Sequence, residues 1–116
     1  MFHVLTLTYT QPLDVVDQTR PAHLEWLQRE IDAGRLLVSG RQESGQGGVL
    51  ITADIDPAAG DELIANDPYQ IAGLVRYVRL GFNRGRCAPG LAYSSERAAM
   101  PVAVKSVNSP STPSRM

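Results

Sequence analysis

Thr19 to Leu27, Thr-Arg-Pro-Ala-His-Leu-Glu-Trp-Leu, gathers an arginine, a proline and one of the chain's two histidines into nine residues. His23 carries the side chain that titrates nearest neutral pH, the property wanted of a general acid or base. Arg20 lies one helical turn earlier on the same side, where a guanidinium could hold a substrate carboxylate or enolate. Each residue also has a plain structural reading. His23 could be a satisfied histidine at a helix edge, and Arg20 could pair with Asp17 or another acidic neighbour. The other chemistry-bearing residues offer less. His3 reads as a partly exposed histidine at a strand end. Cys87 stands near Arg84 and Arg86, but a nucleophile needs an ordered base and none is in sight. The two histidines fall on separate elements, with no His-x-x-x-His or Cys-x-x-Cys spacing, so no metal site is expected and no cofactor is implied. Trp26, with Tyr9 and Phe82, is expected to fill a core or an interface rather than to stack nucleotides.

The elements that must position these groups follow from periodicity. Phe2 to Tyr9 alternate as a strand, with His3, Leu5, Leu7 and Tyr9 on one face and Val4, Thr6 and Thr8 on the other. Residues 10 to 18 read as a loop. Pro21 suits the first turn of a helix running from about Arg20 to Ala33, capped by Thr19 or Asp17. Leu24, Leu27 and Ile31 mark its apolar stripe, which puts His23 on the edge of that stripe, and Gly34 supplies the stop.

Leu36 to Gly40 is a short buried strand. Its Ser39 could line a pocket or merely allow close strand packing beside Gly40. Residues 41 to 48 form a glycine-containing hairpin loop, and Val49 to Thr52 is the returning strand. No lysine and no helix follow those glycines, which excludes a phosphate loop. Asp56-Pro57 opens a second helix ending near Asn66. Pro68 breaks the chain at Asp67, with a turn through Ala72. Leu74 to Phe82 is the last strand, with Val78, Leu80 and Phe82 on the face opposite Val75 and Tyr77.

Composition narrows the class. Hydrophobic residues make up 43% and charged residues 20% of 116 residues, ordinary for one soluble domain. A formal charge of −1 gives no electrostatic reason to expect nucleic acid or an anionic membrane surface. No apolar run approaches the roughly 20 residues of a membrane span. The start, Met-Phe-His-Val-Leu-Thr, lacks a basic region followed by an apolar core, so no secretion signal is expected. One cysteine cannot close an internal disulfide, and a reducing cytoplasm is the expected location. The division is a domain over 1–84 and a C-terminal extension over 85–116, rich in serine and proline and expected to be extended or flexible.

The order β-α-β-β-α-β is that of a ferredoxin-like α+β sandwich, an antiparallel sheet with both helices on one face. Strands apolar on both sides and a core of only ~80 residues favour a homodimer joined through the sheets.

Arg20-Pro-Ala-His23, Gly34-Arg-Leu-Leu-Val-Ser-Gly40 and Asp67-Pro-Tyr-Gln-Ile-Ala-Gly73 together resemble the YCII-related (YciI-like) family over residues 2 to 84. The resemblance implies a dimeric α+β barrel, related in fold to muconolactone isomerase, with a His–Asp pair in a cleft of each subunit. The matching positions are His23 and Asp67. A few members act on chlorinated aromatic breakdown products, and most have no assigned substrate.

A carboxylate beside an imidazole fixes its tautomer and favours its charged form. The expected function is therefore a cofactor-independent enzyme of lyase or isomerase type, with His23 and Asp67 transferring a proton and Arg20, Ser39 and Tyr69 at the substrate. Asp67 also has a plain reading as a cap before Pro68, and Tyr69 as a packing residue. The alternative function is a non-catalytic dimeric module that binds a metabolite or a partner protein.

Overall fold

Strand β1 (Phe2–Tyr9) lies in the middle of the sheet, hydrogen-bonded on both edges. Around it a computed structural model describes residues 1–92 of the chain, so the expectations for the serine- and proline-rich extension past that point lie outside the described residues. The elements after β1 are α1 (Leu13–Asp32), β2 (Leu36–Arg41), β3 (Gly47–Thr52), α2 (Pro57–Asn66), the single turn α3 (Pro68–Ile71), β4 (Val75–Phe82) and a further turn α4 (Pro89–Ala92). The sheet order is β2-β3-β1-β4 and every pairing is antiparallel. This is the ferredoxin-like α+β arrangement expected from the element order. Residues Met1–Phe82 make one unit, and Asn83 onward belongs to another.

Alternation along β1 sets the layers. His3, Leu5 and Leu7 are buried beneath the helices, and β4 sends Val75, Tyr77 and Arg79 to the same side. The opposite face carries Val4, Thr6, Val49 and Ile51, flanked by Val38, Val78, Leu80 and Phe82, which are 52%, 59%, 63% and 46% exposed. Gly47 and Gly48 belong to β3 rather than to the hairpin loop, and pair with Thr8 and Leu7. A Cβ on Gly47 would sit 1.9 Å from the Leu7 carbonyl oxygen, so the ladder closes only around a residue without a side chain.

Helix α1 corrects the sequence reading most. It begins at Leu13, seven residues before Arg20, with Pro12 preceding it and the Pro12 carbonyl accepting from Val15 and Val16. Pro21 is inside the helix, not at its start. An interior proline costs about 3 kcal/mol through a missing N–H and a clash with the preceding turn. Against that, burying Val16 contributes roughly 1.5–3 kcal/mol, and the helix keeps its phase through the proline. Val16, His23, Trp26, Leu27 and Glu30 form one continuous buried stripe on both sides of Pro21. Leu24 and Ile31 are 46% and 36% exposed, so His23 lies in the middle of the buried face rather than on its edge.

The helix ends as expected. Gly34 takes φ +79°, Gly34 N–H donates to Ile31 and Arg35 N–H to Glu30, closing a Schellman turn. The Arg35 guanidinium, 2.6 Å from the buried Glu30 carboxylate, partners the one acidic group on the stripe.

Candidate functional site

Asp67 joins two helices. It caps the end of α2, with its N–H donating to Ile64, and opens α3, where its Oδ1 accepts from Tyr69 N–H at 2.9 Å. Pro68 at the first position of that turn holds Asp67 extended, at φ −67° and ψ 124°. The carboxylate is thereby aimed inward and fully buried. The same Oδ1 lies 2.7 Å from His23 Nδ1, and Oδ2 accepts from the Tyr77 hydroxyl. One oxygen thus both caps α3 and contacts the His23 ring. Three donors on one buried carboxylate meet the requirement that a buried charge be partnered.

A carboxylate can only accept, so His23 Nδ1 carries the ring hydrogen and the lone pair of the neutral imidazole is on Nε2. The ring is fixed on its faces as well. Tyr69 stacks on it at 3.9 Å and 12°, and Trp26 lies 5.7 Å away at 36°. Trp26 is buried as expected, in the core beside His23, and its Nε1 has no hydrogen-bond partner among the described residues. His3 stands apart from this site. It is fully buried rather than partly exposed, with Nε2 at 3.0 Å from the Ile55 carbonyl and Nδ1 at 3.2 Å from Arg79 Nη1.

His23 borders a cavity of about 210 Å³. Leu7, Leu27 and Leu50 give it an apolar lining, Tyr9 and Tyr69 an aromatic one, and Arg20, Ser39 and Arg41 a polar one. The three residues expected at a substrate, Arg20, Ser39 and Tyr69, thus all reach the cavity that His23 borders, whereas Asp67 lies behind the ring. Arg20 is not paired with Asp17; the Asp17 carboxylate is 3.5 Å from Arg41 Nη2 instead. Arg41 also donates through Nε to the Tyr9 hydroxyl at 3.2 Å.

Two tyrosine hydroxyls are held neutral here. Burial pushes Tyr69 up to about 12, helped by neighbouring Tyr9 and opposed by Arg20 and Arg41. Burial, then the charge of Asp67 and its hydrogen bond, raise Tyr77 further, so that it remains a donor to Asp67.

Sequence reasoning did not single out Tyr77 or Arg41 as site residues. Tyr77 could have been found, because a tyrosine on the helix-facing side of β4 must find a partner for its hydroxyl. Arg41 lay in what read as loop, since β2 was expected to end at Gly40. Among the described residues, no cluster of three or more histidine, cysteine or acidic side chains could hold a metal ion. No described helix is long and apolar enough to cross a membrane.

Comparison with known proteins bears on this arrangement. The 24 residues of "12 kDa protein" from Mycolicibacterium smegmatis are matched along their whole length at 83% identity, over 21% of this chain. Among solved structures, 5-chloro-2-hydroxyhydroquinone dehydrochlorinase (TftG) from Burkholderia phenoliruptrix AC1100, in complex with 2,5-dihydroxybenzoquinone, is similar with a TM-score of 0.61. That match covers 73% of this chain and 96% of the other at 20% identity, a likeness of fold. The model of the YCII-related domain matches residues 1–80, the unit that holds β1 to β4, His23 and Asp67, and the chain belongs to the YCII-related family.

Proposed function

We propose that the protein is a cofactor-independent small-molecule enzyme of lyase or isomerase type, in which His23 exchanges a proton with a substrate in the cavity. The observation that carries this reading is the 2.7 Å bond from His23 Nδ1 to a fully buried carboxylate, in a residue that lines the cavity. Nε2 takes a proton from the substrate, and Asp67 stabilises the imidazolium that forms. Tyr77 and the Tyr69 amide hold Asp67 in place, so the pair reorganises little during transfer. Arg20, Ser39 and Tyr69 orient the substrate. The similarity in fold to a dehydrochlorinase solved with a hydroxyquinone supports small oxygenated rings as the first compounds to try.

The remaining assignments belong to the same proposal. The apolar sheet face of Val78, Leu80 and Phe82 supports a homodimer joined through the sheets. The functional domain is residues 1–84, with 85–116 a dispensable extension, and the single Cys87 suits the cytoplasm.

The test is proton exchange. Small carboxylic acids, lactones and hydroxyquinones, 2,5-dihydroxybenzoquinone included, are incubated with the protein in D2O and followed by proton NMR. Protein-dependent loss of a C–H signal, abolished in His23→Gln and Asp67→Asn, is the expected result. A second reading, a cleft that binds a metabolite without turning it over, is favoured by the low exposure of His23, 7%. Saturable binding with no exchange and no product, equal in wild type and His23→Gln, would select it.

A further inference from the structure

The cavity holds more positive charge than its own residues neutralise. Arg20 makes no ion pair among the described residues, although Asp17 lies one turn away on the same helix. Asp17 instead faces Arg41 at 3.5 Å, a loose contact between side chains 45% and 37% exposed. The Tyr9 hydroxyl takes Arg41 Nε and so fixes one edge of that guanidinium. Asp67 is not part of the cavity lining, and its oxygens already accept from His23, Tyr69 and Tyr77, so it offers the arginines no ion pair. Among the arginines that line the cavity and their direct ion-pair partners, two cations face one loosely held carboxylate. Both arginines act on the Tyr69 hydroxyl, which places them within electrostatic reach of the ring stacked on His23. The rest of the lining is mostly leucine and aromatic, and about 210 Å³ is less than the roughly 300 Å³ at which pockets for drug-sized molecules begin.

We propose that the cleft selects a small anion with an apolar, single-ring body, held through its charge by Arg41 together with Arg20. This rests on reading the cleft as a substrate site, and it adds selection of the anion over its neutral analogue and a binding residue, Arg41. A carboxylate or an ionised enol presents two oxygens or one to the guanidinium groups, displaces Asp17 from Arg41, and lays its ring against the leucines near Nε2 of His23. Charge-assisted bonds of this kind are the strong ones. A neutral molecule of the same shape would leave the cations unsatisfied, so it is rejected.

The experiment uses matched pairs: benzoate, phenylacetate and cinnamate against their amides, followed through the fluorescence of Trp26, the chain's single tryptophan, 5.7 Å from the His23 ring. At least one acid of the series is expected to bind saturably, at least tenfold more tightly than its amide, with affinity falling as salt is raised. Arg41→Gln and Arg20→Gln should each weaken that acid about tenfold, the effect of losing one hydrogen bond to a charged group, and leave the amide unchanged. Arg41→Lys, which keeps the charge, should recover part of the loss. His23→Gln should keep the preference for acid over amide, so loss of acid–base chemistry and loss of anion selection are read separately. Equal binding of acids and amides, no binding by any acid, or an Arg41→Gln protein that binds acids like wild type would each overturn the proposal.

Discussion

Replacing Tyr77 by phenylalanine removes one hydroxyl and almost no volume, yet it should be among the costlier single-atom changes in the domain. That hydroxyl donates to Asp67 Oδ2, and Asp67 is fully buried, so no solvent molecule takes over the bond. A hydrogen bond to a charged group contributes about 1.5–3 kcal/mol. For a domain of this size that is a fall in Tm of roughly 6–24 °C. The cause can be isolated with a double-mutant cycle. In Asp67→Asn the partner is neutral and the same hydroxyl contributes only about 0.5–1.5 kcal/mol, so the two changes should couple by about 1 kcal/mol.

The alkaline limb gives an independent check with a defined sign. Tyr77 and Tyr69 have folded pKa values raised above the unfolded value of about 10. A raised pKa contributes stability that is fully present below the unfolded value and lost as pH rises towards the folded one. Stability should therefore fall above about pH 10, by up to ~1.4 kcal/mol per pH unit for each tyrosine. The loss from Tyr69 levels off near pH 12. Urea titrations at pH 7, 10 and 11 measure both effects. A Tyr77→Phe protein within about 0.5 kcal/mol of wild type at pH 7, or one with an undiminished alkaline slope, would refute the account of Asp67 as a carboxylate held by three donors.

Gly47→Ala should destabilise by about 1–3 kcal/mol, because its Cβ would meet the Leu7 backbone; Gly40→Ala, with nothing within 4 Å, is the control and should change stability by less than about 0.5 kcal/mol in chemical denaturation. Leu80→Lys should convert a dimer at micromolar concentration to a monomer in sedimentation velocity, and a wild-type protein that sediments as a folded monomer would exclude the sheet-to-sheet assembly. Ending the chain at Gly90 should lower Tm by less than about 5 °C, on the order of 1 kcal/mol; a larger fall would show that the extension supports the domain.

The strands and their faces were legible because period-two alternation is a local property. His3, Leu5 and Leu7 fall where the pattern puts them. The start of α1 was not, because Pro21 carries the same sequence signature at the first turn of a helix and in the interior of one that tertiary burial holds together. The phase error had the same origin. Leu24 and Ile31 look like core and are exposed, while His23 and Glu30 look like surface and are buried. Burial of the latter two is tolerable only because Asp67, 44 residues away, and Arg35 supply partners. A pairing at that separation leaves no periodic trace. For Asp67 it was family resemblance, not spacing, that singled out the partner, whereas its capping role before Pro68 could be read directly. The hydroxyl of Tyr77 and the guanidinium of Arg41 reach the site through strand pairing, which sequence alone specifies only as a face.

Proton transfer by His23 requires the ring hydrogen on Nδ1 and the lone pair on Nε2, and long-range proton–nitrogen NMR on the neutral rings reads that directly. The chain supplies its own contrast. Arg79 can only donate to Nδ1 of His3, which places the His3 hydrogen on Nε2, where it bonds to the Ile55 carbonyl. Asp67 can only accept from Nδ1 of His23, which places that hydrogen on Nδ1. Wild-type protein is predicted to show the two histidines in opposite tautomers, with the Nδ1–H form of His23 weakened in Asp67→Asn. Finding His23 in the Nε2–H form would leave the cavity facing a donor rather than a base, and would contradict the proposed proton transfer.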